Sequence, residues 1–530
     1  MKLGTTCSAV SFFVTTPIYY ASAAPHIGHL YSSLIADAAN RWHKLKAVEN
    51  QATLFTTGTD EHGSKVAKAA VDAGLPVESY CTEVSQKYKF MHEKFAIHAN
   101  QFIRTTEERH RRAVHQFWEL LARRDCLYKG AYSGWYCNSD ECFYAADELC
   151  DGESGKIAKQ SGHPVVWLCE TNYMFRLRHF LPAVKSWLER SDVIQPAKYL
   201  SLLLDQIDAH GDISVSRDSK RQSWGIEVPG DPSQTIYVWL DALINYLTVA
   251  GYPDELSRWP PDCQVIGKDI LKFHGIFWPA FLLAAGLPLP KKIFCHGHWT
   301  VDGRKMSKSL NNVVDPVSEA NQLTSEGLRY FLLRQGVAHS DGNYSTNLAT
   351  EIVNDELANA IGNLLSRITS KSLLRGGIFP DYQEEYAREC FAEDAALLDN
   401  LNSLSDSVAV CYDHLNFAQG INAIMTTIKL ANAFVQRKAP WKMVNSENSC
   451  EQLNTVLYFA MQSLRIASIL LIPVVPALAG RILDSLGVEQ QHRLFVHCKL
   501  MNYPSRSLVG TPLNVGQFQK VFPRLSVKQR

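Results

Sequence analysis

The chain has 530 residues, of which 46% are hydrophobic and 10% aromatic, so it has room for several folded domains and is not a disordered protein. Its 53 Lys and Arg side chains balance 53 Asp and Glu, and its pI near 7.3 gives no bulk argument for nucleic-acid binding, for which a pI above ~9 is common. Thirteen scattered cysteines, with no secretory signal before them, favour reduced thiols over a disulfide framework.

The first hundred residues predict alternating strands and helices. The β-branched and aromatic run SFFVTTPIYY (11–20) predicts a strand, and HLYSSLIADAANRWHKL (29–45) has the periodicity of a helix. NQATLFTTGTDEHG (50–63) predicts a second strand that ends in a polar loop. This alternation indicates a parallel sheet.

The alternation is interrupted and then returns. The arginine-rich segment 104–124 has helical spacing of Val114, Phe117, Trp118 and Leu121, and the chain from about 116 to 230 is rich in Gly, Cys and Asp. Strand–helix alternation resumes in CQVIGKDILKFHGIFWPAFLLA (263–284) and KKIFCHGHWTVDG (291–303). We therefore predict a doubly wound sheet split by an insertion, with one site at the carboxyl ends of its strands. His26, His29, Asp60 and the GKDI loop (267–270) all follow predicted strands.

From about residue 350 the pattern becomes helical throughout. In NDELANAIGNLLSRITS (354–370), an apolar stripe lies apart from Asn359, Asn363 and Arg367; its members are Leu357, Ile361, Leu364, Leu365 and Ile368. Segments 418–441 and 453–472 continue the helices, which predicts a C-terminal bundle. LRIASILLIPVVPALAG (464–480) contains an arginine and two prolines, so we expect a core helix and its end rather than a membrane span.

Two short motifs identify a family. DGRKMSKSLNN (302–312) predicts a mobile, basic, phosphate-binding loop. HIGH (26–29) together with KMSKS (305–309) is the signature pair of class I aminoacyl-tRNA synthetases. Nearly the whole chain resembles the methionyl-tRNA synthetase family, in its zinc-less bacterial or mitochondrial form. The blocks that carry this resemblance are TTPIYYASAAPHIGHLY, TGTDEHG, ETNYMFRL, WGIEVP, YVWLDALINYL, GKDILKFHGIFWPA, HGHWTVDGRKMSKS and ANAFVQRKAPW.

The resemblance implies an α/β fold in which a split Rossmann-like nucleotide-binding domain carries an inserted connective-peptide domain. An all-α helical-bundle anticodon-binding domain follows. We expect the first half of the catalytic domain at 1–115, the connective peptide at 116–230, the second catalytic half at 231–295, the stem-contact and KMSKS linker region at 296–350, the anticodon-binding domain at 351–500 and a C-terminal tail at 501–530.

The implied activity is that of a methionine–tRNA ligase, which forms methionyl-adenylate from L-methionine and ATP, releases pyrophosphate and charges the 3′-terminal ribose of tRNA(Met). Such a transfer needs positioning and charge stabilisation more than a covalent nucleophile. Imidazoles at a helix N-terminus can donate to phosphate oxygens, and Gly28 leaves room for the nucleotide. The resemblance makes His26, His29, Lys305 and Lys308 the catalytic residues. It implies an ATP site formed by His26, Gly28, His29, Asp269 (at the ribose) and Lys308.

The resemblance also implies the amino-acid and anticodon sites. A thioether suits a slot with aromatic walls. The implied lining is Ile18, Tyr20, Trp239, Ala242, Leu243, Tyr246, Ile270, His274 and Trp278, with Asp60 on the α-ammonium. Leu243 stands where some family members carry proline. Asn363, Arg367 and Trp441 match anticodon-binding positions, and Pro440 is expected to end the helix that carries Asn432.

We expect ATP to act as its Mg²⁺ complex and expect no structural zinc. Cys137 and Cys142 stand in C-x4-C spacing and are followed by Cys150, His163 and Cys169. Many family members carry a zinc knuckle with C-x-x-C pairs in this insertion, and this chain has no C-x-x-C pair there. The branch of the family suggests the mitochondrial matrix, although the short segment before the first strand argues mildly against import and leaves the cytoplasm as an alternative. We expect a monomer that does not bind membranes. Two other functions stay open: a class I synthetase for another amino acid, and a tRNA-binding paralogue without catalysis.

Overall fold

A computed structural model of the protein describes residues 10–47, 51–137, 139, 142–144, 146–152, 155–159, 161–190, 192–306, 312–444, 449–500, 508–514 and 521–526. The chain divides into two compact units. The sheet unit contains Val10–Ala36 and Leu54–His298, and the helical unit contains Asp37–Thr53 and Trp299–Arg530.

The strands belong to one large sheet and several small ones. In chain order they are β1 Val10–Thr15, β2 Tyr19–Tyr20, β3 Ala52–Asp60, β4 Gln101–Arg104, β5 Leu127–Cys137, β6 Cys142–Tyr144, β7 Leu149–Gly152, β8 Gly155–Ala158, β9 Val166–Phe175, β10 Ile194–Gln195, β11 Ile213–Ser214, β12 Ser216–Asp218, β13 Glu227–Val228, β14 Asp231–Ile236, β15 Cys263–Gly267, β16 Ile293–His296, β17 Trp299–Val301, β18 Arg304–Lys305 and β19 Gly342–Tyr344.

The helices cover the large sheet and build the C-terminal region. In chain order they are α1 Ile27–Lys46, α2 Ser64–Asp72, α3 Val77–Lys94, α4 Glu108–Arg123, α5 Leu177–Leu188, α6 Ala197–Ile207, α7 Val238–Ala250, α8 Trp278–Ala285, α9 Pro316–Leu323, α10 Ser325–Gln335, α11 Thr346–Val353, α12 Asn363–Ile368, α13 Glu384–Ala392, α14 Ala395–Asp413, α15 Phe417–Lys438, α16 Cys450–Leu471 and α17 Pro476–Ser485. Two π-helical segments, Phe273–Phe277 and Asn354–Gly362, directly precede α8 and α12.

The large sheet has the order β10-β16-β15-β1-β3-β2, with β4 also paired to β3. β1 pairs in parallel with β15, β15 with β16 and β3 with β4, so the carboxyl ends of these neighbours meet at one edge. This confirms the predicted α/β fold with a split parallel sheet. The sheet is buried, and β15 is buried at every position, as a central parallel strand requires.

The part of the sequence between the two halves of the sheet builds mainly antiparallel structure. β5 pairs with β9 over ten residue pairs from Leu127↔Phe175 to Tyr136↔Val166, and a separate small sheet joins β12, β14 and β13. β10 is different, because it lies inside the range 116–230 and yet pairs in parallel with β16. Helices α5 and α6, on either side of β10 in the chain, pack on each other. The range 116–230 is therefore not an insertion that lies wholly outside the large sheet.

The helical unit has its core around α15 and α16. Helix α16 is long and apolar enough to cross a membrane by length and composition, but 94% of that stretch is buried inside the structure. It ends at Leu471, and α17 starts at Pro476, which confirms the interpretation as a core helix and its end. The predicted stripe residues Leu357, Ile361 and Leu364 are likewise buried, which confirms the amphipathic pattern.

The C-terminal half of α1 is fixed inside the helical unit by a buried ion pair. Asp37, on α1, accepts hydrogen bonds from Arg329 and Arg41, each at 2.8 Å. Burial alone raises the pKa of Asp37, but the two guanidinium groups hold it below the ordinary value. Arg329 is 1% exposed and also donates to the carbonyls of Pro473 and Val474, which leaves its charge fully compensated.

Candidate active site

The HIGH residues lie where the chain leaves the sheet and enters α1. The helix begins at Ile27, so the unpaired N–H groups of its first turn and its positive dipole end lie beside both histidines. The backbone N–H of Gly28 donates to Nδ1 of His26 at 3.0 Å, and the N–H of His26 donates to Nδ1 of His29 at 3.2 Å. Both rings therefore accept at Nδ1 and carry the proton of their neutral form on Nε2.

His29 is held as a neutral ring. Burial lowers its pKa well below the ordinary value, and the neighbouring His26 lowers it further. Tyr88 lies edge-on to His29, with its hydroxyl 3.5 Å from Nδ1, and stacks on Tyr19 at 4.4 Å between ring centroids. The hydroxyl of Tyr19 is fixed by Ser33 and by Nε2 of His92, the latter at 3.0 Å. Nothing in the sequence of α3 relates Tyr88 to α1, so this support was not predicted.

Asp269 lies directly after the carboxyl end of β15. It is part of a short 3-10 turn, Lys268–Ile270, and its Oδ1 is 3.2 Å from Nε2 of His298. A Cβ atom on Gly267 would lie only 2.7 Å from the same oxygen, so a larger residue here would displace the Asp269 carboxylate. Asp269 was predicted from the sequence, and its partner His298 was not.

His296 connects the end of β16 to α1. Its Nδ1 lies 2.8 Å from the carbonyl of Gly297 and its Nε2 lies 2.8 Å from the hydroxyl of Ser32, so Nδ1 donates and Nε2 accepts. Burial lowers the pKa of His296 to about 4, which keeps this arrangement neutral. The motif HGH next to KMSKS was the available signal for both histidines, but it was quoted only as part of the family resemblance.

Most of the residues expected to bind methionine come together in one hydrophobic cluster. Its buried or partly buried members include Ile18, Trp239, Leu243, Tyr246, Ile270 and Trp278. Trp239 stacks on Phe273 with centroids 3.6 Å apart and planes at 7°, and Tyr246 lies 6.1 Å from Trp278. Ala242 is 7% exposed on the same helix, α7. These side chains form an aromatic and apolar environment that suits a thioether.

One polar pair is built into this cluster. Nδ1 of His274 lies 3.0 Å from the carbonyl of Ile270 and therefore donates, which leaves Nε2 to accept from the hydroxyl of Tyr246 at 2.8 Å. Burial lowers the pKa of His274 to about 4 and raises that of Tyr246, so both groups are neutral at pH ~7. His274 lies in the π-helical segment Phe273–Phe277, and such segments occur often at functional sites.

Asp60 ends β3, and its neighbour Glu61 fixes the chain there. Tyr20 pairs with Asp60 in the sheet, and Asp60 is 9% exposed. The carboxylate of Glu61 accepts hydrogen bonds from Thr59 at 2.7 Å, Arg104 at 2.7 Å and Thr106 at 2.6 Å. A buried carboxylate with this many donors holds the strand end in one position.

The remaining predicted residues belong to the helical unit. Lys305 ends β18 and is exposed, whereas Lys308 lies outside the described residues. Asn363 and Arg367 are both exposed on α12, on the side opposite the buried stripe. Trp441 is 43% exposed in a 3-10 turn that follows the end of α15 at Lys438, with Pro440 buried beside it. The exposure of Trp441 contradicts a role as a core residue at the end of the bundle.

The cysteines of the insertion give no sign of a metal centre where they are described. Cys137 is buried, Cys150 is half-buried and Cys169 is exposed, and the side chain of Cys142 is outside the described set. Among the described residues, no three His, Cys, Asp or Glu side chains are grouped so that they could hold a metal ion.

The parallel sheet, the HIGH residues at the start of α1 and the residues after β15 define the class I aminoacyl-tRNA synthetases, and the family model described as tRNA synthetases class I (M) matches residues 12–369. The chain belongs to the methionyl-tRNA synthetase family.

The comparisons cover nearly the whole chain. The human mitochondrial methionine–tRNA ligase is 46% identical over 512 residues, covering 92% of this chain and 85% of that protein. The methionine–tRNA ligase of Rickettsia bellii is 38% identical and covers 92% of this chain and 95% of its own length. A crystal structure of Mycobacterium tuberculosis methionyl-tRNA synthetase bound by methionyl-adenylate superposes with a TM-score of 0.88 at 37% identity, covering 97% of this chain and all of that one.

Proposed function

We propose that the chain joins L-methionine to tRNA(Met) in two steps, with the site residues named above. Methionine and ATP first give methionyl-adenylate and pyrophosphate. The methionyl group then passes to the 3′-terminal ribose of the tRNA, and AMP is released. One observation carries this proposal. The same sheet unit contains the donor-rich N-terminus of α1 and the aromatic cluster around Tyr246 and His274.

In the first step, a carboxylate oxygen of methionine attacks the α-phosphorus of ATP while the bond to pyrophosphate breaks. The Nε2–H groups of His26 and His29 are the donors we assign to phosphate oxygens, since both Nδ1 atoms already accept backbone hydrogen bonds. Neutral donors aimed by the backbone lose little entropy when the charge on phosphate develops. We assign Asp269 to the ribose, and Lys305 and Lys308 to the charge of the phosphates.

For methionine itself, we assign Asp60 to the α-ammonium and the apolar cluster to the side chain. A buried carboxylate at a strand end suits a cation, and its strand end is held by Glu61. Both ring nitrogens of His274 are already hydrogen-bonded, one to the carbonyl of Ile270 and one to the hydroxyl of Tyr246. The pair therefore offers the thioether a polarisable surface and no unsatisfied charge.

Before the second step, the correct tRNA must be bound, and we propose that it is recognised at its anticodon. We assign Trp441, Asn363 and Arg367 to the anticodon, because an exposed aromatic ring can stack on an unpaired base while amide and guanidinium groups bind base edges. The 3-10 turn of Trp441 and helix α12 both pack against α16, which places all three residues on one structural support.

We propose the domain boundaries expected from the sequence, with β10 of the insertion paired to the large sheet. We propose a catalytic domain at 1–115 and 231–295, a connective peptide at 116–230, a linker region at 296–350, an anticodon-binding domain at 351–500 and a tail at 501–530. The pairing of β10 with β16 makes 194–195 part of the catalytic sheet. ATP acts with Mg²⁺, as in aminoacyl-tRNA synthetases generally, and we propose no structural zinc.

We place the protein in the mitochondrial matrix. Relatives in human, cattle and mouse are named as mitochondrial enzymes, and a bacterial relative leaves a cytoplasmic location as the alternative. Imaging of the tagged protein against matrix and cytosolic markers distinguishes the two locations.

The decisive experiment is amino-acid-dependent ATP–pyrophosphate exchange with the purified chain. Methionine should support exchange, and leucine and cysteine should not. A second assay with tRNA(Met) should then give methionyl-tRNA. Exchange with leucine or cysteine in place of methionine would identify a different class I synthetase, and tRNA binding without any exchange would identify a non-catalytic binding protein.

A further inference from the structure

A buried network of two histidines and one aspartate connects three segments of the sheet unit. Asp241, on α7, is 1% exposed, and its two carboxylate oxygens each lie 2.7 Å from a histidine nitrogen. Oδ2 faces Nδ1 of His62, two residues beyond Asp60, and Oδ1 faces Nε2 of His110 on α4. His62 is 1% exposed and His110 is fully buried.

Asp241 is ionised in this network. Although burial opposes ionisation, the two histidines lower the pKa of Asp241 to about 2, so its carboxylate is ionised at pH ~7 and accepts both hydrogen bonds. The second nitrogen of His110 lies 3.0 Å from the hydroxyl of Thr248, about two helical turns further along α7. His110 therefore binds α7 at two positions, and α4 packs along α7.

The side chain of His62 is buried and hydrogen-bonded to Asp241. Its Nε2 is buried and has no hydrogen-bond partner among the described residues, so its hydrogen bonding there is to Asp241. Its ring contacts Trp224 edge-on at 5.6 Å, and the carbonyl of Trp224 accepts the N–H of Gly63 at 3.0 Å. The indole N–H of Trp224 donates in turn to the carbonyl of Glu61.

The two elements joined by His62 and Asp241 carry the two halves of the proposed methionine site. Asp60, assigned to the α-ammonium, precedes His62 by two residues, and α7 carries Trp239, Ala242 and Tyr246 of the side-chain cluster. The protein groups that bind the ammonium and the thioether of one methionine must lie at a fixed separation. A shift of α7 relative to the end of β3 would spoil that match without removing any group that touches the ligand.

We propose that His62, Asp241 and His110 are positioning residues that set the separation between the ammonium-binding end of β3 and the pocket helix α7, and thereby the affinity and selectivity for methionine. This inference rests on the proposed function. The network does not touch the HIGH residues, for which the partners described above are different, so it should act on methionine and not on ATP.

The test compares Asp241→Asn and His62→Gln, singly and together, with His98→Gln as a matched control at an exposed histidine of the same unit. In pyrophosphate exchange, Asp241→Asn should raise the KM for methionine about tenfold or more, because one histidine loses its acceptor. The KM for ATP should change less than about twofold, and selectivity over norleucine should fall. The double variant should be about as impaired as Asp241→Asn alone, since both changes break one link.

The outcomes separate this inference from the function on which it rests. No methionine-dependent exchange by the unmodified chain overturns the function itself. An unchanged methionine KM in both variants, or parallel changes in methionine KM, ATP KM and melting temperature, overturns the positioning role. If Asp241→Asn fails to fold, His62→Gln alone decides, because it leaves the carboxylate bound to His110.

Discussion

The imidazole rings of His26 and His29 stack with their centroids 3.8 Å apart and their planes at 29°, at the first turn of α1. Two protonated rings would repel each other at this distance, and burial together with His26 keeps the pKa of His29 far below its ordinary value. The pair therefore presents neutral N–H donors whose direction is set by backbone hydrogen bonds. In the proposed role at ATP, the pair would contribute the direction of its donors rather than a fixed positive charge.

Replacement of His29 by asparagine should lower the rate of pyrophosphate exchange by ~10²–10³, the scale for loss of one preorganised donor. The KM for methionine should change less than about threefold, since the ring is assigned to ATP. Single-turnover adenylate formation provides the measurement, with His98→Asn as the control at an exposed site. A loss of methionine affinity with an intact rate would contradict the assignment.

Lys308 is assigned to charge that develops on the phosphates, so its effect should be confined to the rate. Lys308→Ala should reduce methionine activation by ~10²–10³, while methionine binding measured without ATP stays near that of the unmodified chain. Lys159→Ala, in the insertion, serves as the control for simple loss of a lysine charge. A collapse of methionine binding with normal exchange would show that the lysine acts elsewhere.

Protonation of His274 should destabilise the sheet unit in mild acid. Its pKa in the folded chain is about 4, against an ordinary value of 6.5, so between these values the unfolded chain binds a proton that the folded chain does not. The stabilisation is complete above pH ~6.5 and is lost as the pH falls toward ~4, by at most ~1.4 kcal/mol per pH unit. Between pH ~7.5 and ~5.5, the melting temperature of the unmodified chain should fall a few degrees more than that of His274→Gln. Equal falls would contradict the lowered pKa.

The sequence predicted the architecture well because its signals are local. The strands β1, β3, β15 and β16 were visible from alternation and periodicity, as β1 before α1 illustrates. β10 was not, because a strand of two residues, Ile194–Gln195, has no period to detect and is defined only by its partner β16.

Site residues that lie in a motif could be predicted from the sequence. Residues whose role depends on a contact with a distant part of the chain could not. His26 and Asp269 lie in motifs, whereas the bond from His62 to Asp241 joins residues 179 positions apart. No local pattern in TGTDEHG distinguishes a histidine that binds a ligand from one that holds a helix. The same limit applies to Tyr88, whose relation to His29 depends on how α3 packs against α1.

Removal of metal should leave the protein folded. Cys137 is buried and Cys169 exposed, so these two thiols do not share one environment as ligands of a single zinc would. Elemental analysis should find far less than one zinc per chain, and chelation followed by readdition of Mg²⁺ should restore full exchange activity. One tightly bound zinc whose removal unfolds the protein would contradict the proposal.

The last prediction concerns the anticodon. Trp441 is 43% exposed in a 3-10 turn after α15, where the left-handed backbone of Ala439 ends the helix, so its ring is available to stack on a base. Stacking of one base contributes ~1–3 kcal/mol, so Trp441→Ala should lower aminoacylation efficiency by roughly ten- to a hundredfold. Pyrophosphate exchange, which needs no tRNA, should keep its normal rate, and the melting temperature should hardly change, because an exposed side chain contributes little to the core.

The matched control is Trp167→Ala, which removes another exposed tryptophan, 59% accessible, from the insertion. A tRNA with a changed anticodon completes the cycle: if Trp441 acts at the anticodon, the penalty of Trp441→Ala should be much smaller with that tRNA, since both changes remove the same contact. Equal penalties on both tRNAs would place the effect of Trp441 away from the anticodon. A parallel loss of exchange, aminoacylation and thermal stability would make the tryptophan structural, and Asn363 and Arg367 would then have to account for anticodon recognition without an aromatic platform.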